Sequence, residues 1–228
     1  MAKKKISRKE MLKKPDEFIS ITGKTIDFVK GHKRLFDYLG TAILGAIVIY
    51  IGVYAYMRYV NNKGKEAFNT AFYSAFLNTG SEEAAADPKK AEELFGNVVE
   101  KYGISKAAKL ALPELAYAKF EQKQYDEAIA MYEEYLGKVS EKGPYRSLAC
   151  LALSTCYEQK GEYDKAITPL EDIMQGPDDF IKEQAMLNMA RIYRLDNKQD
   201  RAKEVLNQLK EKFPDSVYYD MADSLINS

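Results

Sequence analysis

Two thiols and a single imidazole are all that the 228-residue chain offers for thiol or imidazole chemistry. Cys150 and Cys156 lie six residues apart in a helical pattern. Their side chains would point about 120° apart and stand about 9 Å apart along the axis. A disulfide needs Cα atoms within about 7 Å, so these two cannot bridge within one helix. They read as buried structural thiols. His32 stands in a basic run, His32-Lys33-Arg34, with no Cys/His cluster for a zinc site. It reads as one more polar residue near a membrane surface. The paired acids Glu133-Glu134 and Asp178-Asp179 fall where solvated helix faces or turns are expected. The sequence contains no Gly-rich phosphate loop, no HExxH, no CxxC and no GxSxG. These residue types predict no catalytic, cofactor or metal site, and leave recognition by shape and charge.

The charges themselves are segregated. The chain carries 34 Lys+Arg and 34 Asp+Glu. Residues 1–37 hold eleven basic and five acidic residues, a net of +6, and residues 59–228 hold 22 basic and 29 acidic residues, a net of −7. From Tyr38 to Met57 there are twenty residues without a charge, and Arg58 follows. A helix of that length spans about 30 Å, the thickness of a bilayer's hydrocarbon core. Tyr38 sits at one rim, and Tyr56 and Tyr59 at the other, where amphipathic rings prefer to lie. The run is longer than a signal-peptide core of about 7–15 residues. No small-x-small cleavage pattern follows it at Arg58-Tyr59-Val60-Asn61. The sequence therefore predicts a basic cytoplasmic segment (1–37), an uncleaved transmembrane signal anchor (38–60) and an exported domain (61–228). The basic flank stays inside because translocating Lys and Arg is disfavoured. In a two-membrane bacterium this places the domain in the periplasm, on a single-pass inner-membrane anchor with its N-terminus in the cytoplasm. Thr41 and Gly45, like Ala42 and Ala46, have the spacing that lets another helix approach closely, although small residues are common in such spans.

The flank has its own pattern. Residues 2–14 are Lys-rich and predicted to be disordered. Pro15-Asp16-Glu17 reads as a helix start. Phe18, Ile21 or Thr22, Ile26 and Val29 recur at helical spacing, with Ile19 and Phe28 broadening the apolar side, and Gly31 is expected to end the helix. A basic amphipathic helix beside a span can lie in the headgroup layer, or it can be a retention flank with incidental helicity.

The exported part is self-similar. Leu115–Ile129, Leu153–Ile167 and Met189–Lys203 align, and Tyr-Asp-x-Ala-Ile occurs at 125–129 and again at 163–167. The shared alanine falls at Ala128, Ala166 and Ala202, with a weaker copy at Ala91. The spacings are 37, 38 and 36 residues. Each alanine is expected where two helices of one unit touch. Gly161 is expected at a reversal that needs positive φ. Phe68, Phe72 and Phe76 predict a helix over 65–77 with an aromatic stripe. Residues 78–87 read as a loop, Pro88 as a helix start, and Asp215-Ser216 as the cap of a last helix over 217–227. Tyr218, Met221, Ala222 and Leu225 are its apolar residues, expected to cover the end of the stack.

This pattern resembles the tetratricopeptide repeat, a helix–turn–helix of about 34 residues. The third copy carries the likeness best: Leu153, Tyr157, Gly161, Tyr163, Ala166, then Leu170 and Ile173. Phe213-Pro214 ends the fourth copy as the family's final proline does. Lys119 departs from the pattern, standing where an aromatic is usual. So does Pro169, expected to interrupt and kink a second helix. The resemblance implies an all-α fold: a single N-terminal transmembrane helix, then a solenoid of about four helix pairs plus a C-terminal capping helix. It also implies a concave groove, which carried onto this chain includes Tyr117, Phe120, Leu151, Thr155, Glu158, Leu187, Arg191 and Arg194. Arg191 and Arg194 would clamp carboxylates, and Tyr117 and Phe120 would bury an apolar anchor.

The whole layout is similar to the YfgM-type ancillary subunits of the bacterial Sec translocon. That likeness rests on architecture and repeat type. It implies a membrane-anchored periplasmic adaptor whose partners are a SecYEG-type channel and a periplasmic prolyl-isomerase-type chaperone. Two other readings stay open. One is a scaffold of another envelope machine for cytochrome maturation, division or secretion. The other is a repeat receptor facing the cytoplasm.

Overall fold

A computed structural model describes residues 17–77, 87–139 and 143–227. The Lys-rich segment, the Pro15-Asp16 helix start and most of the 78–87 loop lie outside them. The chain divides into two units, Met1–Tyr56 and Met57–Ser228.

In the first unit, α1 runs Glu17–Gly31 and α2 begins after a one-residue break at His32. Gly31 thus ends the helix as expected, but the chain resumes a helix at once. The break is bridged, since the backbone N–H of His32 still donates to the Phe28 carbonyl at 3.1 Å. The α2 helix extends Lys33–Phe72, and every residue from 37 to 56 is exposed. It is the one described helix long and apolar enough to cross a membrane. The Thr41 hydroxyl donates to the carbonyls of Tyr38 and Asp37, at 2.9 and 3.0 Å, so it is satisfied within its own helix. A Cβ on Gly45 would meet open space.

The second unit is a stack of helix pairs. Its members are α3 Pro88–Lys101, α4 Lys106–Glu121, α5 Tyr125–Lys138, α6 Pro144–Gln159, α7 Tyr163–Met174, α8 Asp179–Leu195 and α9 Gln199–Lys212, followed by the short α10 Tyr219–Asn227. Each helix from α3 onward packs against the next. The end of α2 with α3, then α4–α5, α6–α7 and α8–α9, make four pairs, and α10 follows as an end helix. The residues from 65 onward, expected as a separate helix, instead continue α2, with a π-helical segment Tyr73–Leu77 after it. Gly64 does not break the helix, because it serves another purpose. It is buried, and a Cβ there would lie 2.7 Å from Ser105 Oγ, so glycine lets the α3–α4 turn press against α2. Asn61 Oδ1 accepts from the Lys106 backbone N–H at 2.9 Å beside it. Of the aromatic stripe, Phe68 packs against Phe95 at 5.8 Å, Phe72 remains exposed, and the Phe76 side chain lies outside what is described.

The repeat register is visible in burial. Ala91, Ala128, Ala166 and Ala202 are 5%, 0%, 0% and 1% exposed, one in each pair. Only a methyl group fits where two backbones approach this closely. The turns between paired helices repeat as well. Gly161 has φ +73°, and Lys123 and Asn197 occupy the equivalent place with φ 62° and 59°. Each closes its helix with the same two bonds, for example Gly161 N–H to Glu158 O at 2.8 Å and Glu162 N–H to Tyr157 O at 2.9 Å. A lysine in this left-handed region is strained by about 1–2 kcal/mol. Lys123→Gly should therefore stabilise by about 0.5–1 kcal/mol after glycine's extra unfolded-state entropy is subtracted. Gly161→Ala should move the melting temperature the other way. Thermal melts of the detergent-solubilised protein check both signs.

The two departures from the repeat pattern have physical reasons. Lys119 replaces a packed aromatic with a cation that ties three helices. Its Nζ lies 2.7 Å from Glu92 on α3 and 2.6 Å from Glu127 on α5. Those bonds hold its pKa above the ordinary lysine value, Glu127 contributing most. Pro169 does not interrupt α7, which runs unbroken through it. Proline withholds one backbone donor, but Ala166, Ile167, Leu170 and Ile173 are buried around it and hold both halves of the helix in one core. The end helix starts at Tyr219, two residues later than expected. Ser216 therefore stands too early to cap it, and its Oγ instead accepts from the Tyr218 N–H at 3.0 Å in the turn that leads into the helix. Ala222 is fully buried, Leu225 and Ile226 join it against α8 and α9, and Met221 remains 46% exposed.

Candidate partner groove

The first helices of successive pairs, α4, α6 and α8, lie side by side and touch. Equivalent positions on them are related by the repeat spacing, so Tyr117, Thr155 and Arg191 form one row and Phe120, Glu158 and Arg194 the next.

The rows are not uniform. Tyr117 is 48% exposed, and the burial it does have, with Glu121 nearby, raises its phenol above the ordinary value. Phe120 is half-buried, packs on Tyr125 at 5.5 Å and belongs to the second pair's core. Phe120 thus turns toward its own pair, while Tyr117 leaves about half of its surface open. One turn before Tyr117, burial raises the Glu114 carboxyl above its ordinary value. Leu151 and Thr155 are half-buried, and the Thr155 hydroxyl donates to the Leu151 carbonyl at 3.0 Å.

The rows converge at the C-terminal end. The Glu158 side chain is only 8% exposed, and its Oε1 accepts from Arg191 Nη1 across the α6–α8 boundary. Its Oε2 is buried with no hydrogen-bond partner among the described residues. Arg191 also donates to Asn188 Oδ1 at 3.1 Å. Arg194, one turn on, makes no ion pair among the described residues. Leu187, Arg191 and Arg194 line a cleft of ≈ 780 Å³, and Tyr218, Met221 and Leu225 close it from the side of the end helix. The Tyr218 hydroxyl accepts from Gln184 Nε2 at 3.3 Å, and its ring lies 6.2 Å from Phe180.

Of the eight residues expected in the groove, then, three line this cleft and Glu158 pairs with one of them. Tyr117, Phe120, Leu151 and Thr155 lie elsewhere. The contribution of the end helix was missed. Its apolar residues read only as a cover for the stack, whereas Met221 remains exposed and Tyr218 and Leu225 are only half-buried. Among the described residues no cluster of His, Cys, Asp or Glu could hold a metal ion.

An apolar cleft lined by two guanidiniums is suited to recognition by shape and charge. A family model described as a tetratricopeptide repeat-like domain matches residues 33–180, and a tetratricopeptide repeat model matches residues 184–216. Among curated proteins none matches. Of solved structures, a tetratricopeptide repeat protein from Parabacteroides merdae is similar over 71% of this chain and 59% of its own, at 16% identity and TM-score 0.55. The chain thus spans under two thirds of that protein's length. MamA overlaps more loosely, covering 56% of this chain and 70% of its own at 22% identity and TM-score 0.46. Repeats of this kind indicate a protein–protein interaction adaptor. The four helix pairs, the buried alanine in each and the family match over most of the chain make it a member of the tetratricopeptide repeat-like domain family.

Proposed function

We propose that the chain is a membrane-anchored adaptor. In this reading α2 spans the inner membrane once, with the basic flank in the cytoplasm and the repeat domain in the periplasm. The domain captures segments of partner proteins during Sec-dependent export and envelope protein folding. Its partners are a SecYEG-type translocon and a periplasmic prolyl-isomerase-type chaperone. The charge asymmetry supports the orientation, and the layout's similarity to YfgM-type subunits supports the partners. The observation that carries the binding role is the cleft between α8 and α10, with its apolar floor and the guanidinium of Arg194, which makes no ion pair among the described residues. An apolar anchor beside a carboxylate fits it. Thr41 and Gly45 offer a second contact, helix to helix, within the bilayer.

Arg191 and Arg194 are not equivalent in this scheme. Arg191 is the cation for the nearly buried Glu158, so its removal strands a carboxylate and lowers stability. Arg194→Ala removes a charge with no ion-pair partner among the described residues, and should leave stability within about 0.5 kcal/mol of the parent. The test is crosslinking of the anchored protein in cells to translocon and chaperone components, with melts in parallel. Arg194→Ala should reduce capture several-fold with the melt unchanged. Full capture by a stably folded Arg194→Ala protein would remove the cleft as the binding surface, and absence of both components from the parent's crosslinks would remove the named partners.

A further inference from the structure

The short helix before the span presents an apolar arc that no described residue of its unit covers. In α1 and the first turn of α2, Ile26 is 47% exposed, Phe28 57%, Val29 38% and Leu35 54%. At 100° per residue these four and Phe36 occupy about half of the helix circumference. Lys24, Asp27, Lys30 and Arg34 fall on the other half, and Lys33 lies at the margin. An aromatic ladder continues the apolar side across the break at His32. The Phe28 ring lies 4.5 Å from the His32 ring and 6.2 Å, edge to face, from Phe36. His32 Nδ1 is 3.0 Å from the Phe28 carbonyl, which pins the ring to the helix. The apolar side of α1 therefore runs without interruption into the apolar helix α2.

Charge selects what covers this face. Of the charged residues from Lys24 to Arg34, four are Lys or Arg and one is acidic, and the whole flank 1–37 carries a net of +6. A protein groove of matching shape would need to be strongly acidic. A bilayer carrying anionic phospholipid supplies both requirements at one place, with acyl chains for the apolar arc and phosphates for the lysines. That surface stands beside α1 wherever α2 crosses a membrane.

We propose that α1 is an interfacial membrane-binding helix, lying along the headgroup layer and recognising anionic phospholipid through Lys24, Lys30, Lys33 and Arg34. It sets the depth of the flank and holds the Phe28–His32–Phe36 ladder at the acyl boundary. The proposal rests on α2 being a span.

The chain has no tryptophan, so Phe28→Trp introduces a lone reporter on the apolar arc. The full-length protein is reconstituted into vesicles of phosphatidylcholine alone or of phosphatidylcholine with phosphatidylglycerol, each with and without brominated acyl chains. In the anionic vesicles the emission should shift to the blue and be quenched by bromine. In neutral vesicles the shift and quenching should be lost, and in anionic vesicles they should weaken as salt is raised through the range that screens surface charge. Lys24→Gln with Lys30→Gln, both at exposed positions, should lower the quenching in anionic vesicles toward the neutral value. Vesicle flotation separates the two levels of failure. Protein that does not float with vesicles overturns the span and the proposal together. Protein that floats with its tryptophan unquenched overturns only the proposal. Equal quenching in neutral and anionic vesicles overturns recognition of the anionic headgroup.

Discussion

Gly64→Ala lowers the melting temperature of the detergent-solubilised protein, although alanine is the better helix former. The added Cβ would lie 2.7 Å from Ser105 Oγ, 3.1 Å from Ser105 Cβ and 3.2 Å from Tyr102 Cβ. Ser105 cannot simply turn away. It is 4% exposed, and its Oγ is the N-cap of α4, accepting from the Ala108 N–H at 3.0 Å. Losing that cap costs about 1 kcal/mol, and forcing the turn outward costs about 1–3 kcal/mol. The gain in helix propensity is about 1 kcal/mol. The net loss is therefore about 1–3 kcal/mol, and Gly64→Leu should cost more. Gly96 is the matched control, in the middle of α3 with open space where its Cβ would go. Gly96→Ala should stabilise by about 1 kcal/mol. Melts that move in the same direction for both alanine variants would contradict the contact at Gly64.

Ala166→Leu should be worse than either, with a loss of about 3 kcal/mol, the upper part of the range for overpacking. Ala166 is fully buried, and its cluster holds Leu170 and Ile192, each 0% exposed, so the added carbons have no space to enter. For a chain of this size that corresponds to about 6–12 °C in melting temperature. Repeat units contact only their neighbours. Amide exchange should therefore accelerate first in α6, α7 and α8, and least in α3. An unchanged melt, or exchange that accelerates uniformly along the stack, would place Ala166 outside the helix contact.

What the sequence disclosed and what it hid have separable causes. The alanines were legible because a close approach of two helices admits very few side chains, and the same residue recurs at each unit. Gly161 was legible for a similar reason, since its turn favours one residue type. The equivalent turn at Lys123 was hidden, because nothing in the chemistry of lysine announces a positive φ, whereas Asn197 is of a type that adopts it readily. The length of α2 was hidden too. The anchor was expected to end at residue 60 and a separate helix to run over 65–77, whereas α2 continues through Gly64, which makes room for a contact 41 residues further on. In the groove, the residue types and spacing at Arg191 and Arg194 could be read. Their division of labour could not, because it depends on Glu158, 33 residues earlier and on another helix.

The two thiols carry a consequence for how the opening of the domain can be followed. Cys150 and Cys156 are 1% and 0% exposed, and burial pushes the pKa of each up to about 12. They face different cores, Cys150 with the third pair and α8, Cys156 with the second pair and α6. Once folded, the domain shields both thiols from oxidants and from pairing with one another, whichever compartment it occupies. Thiolate would form only when the centre of the stack opens. The rate at which an alkylating reagent labels the native chain is thus a clock for that opening. It runs without any engineered probe, and reads the middle of the array rather than its fraying ends.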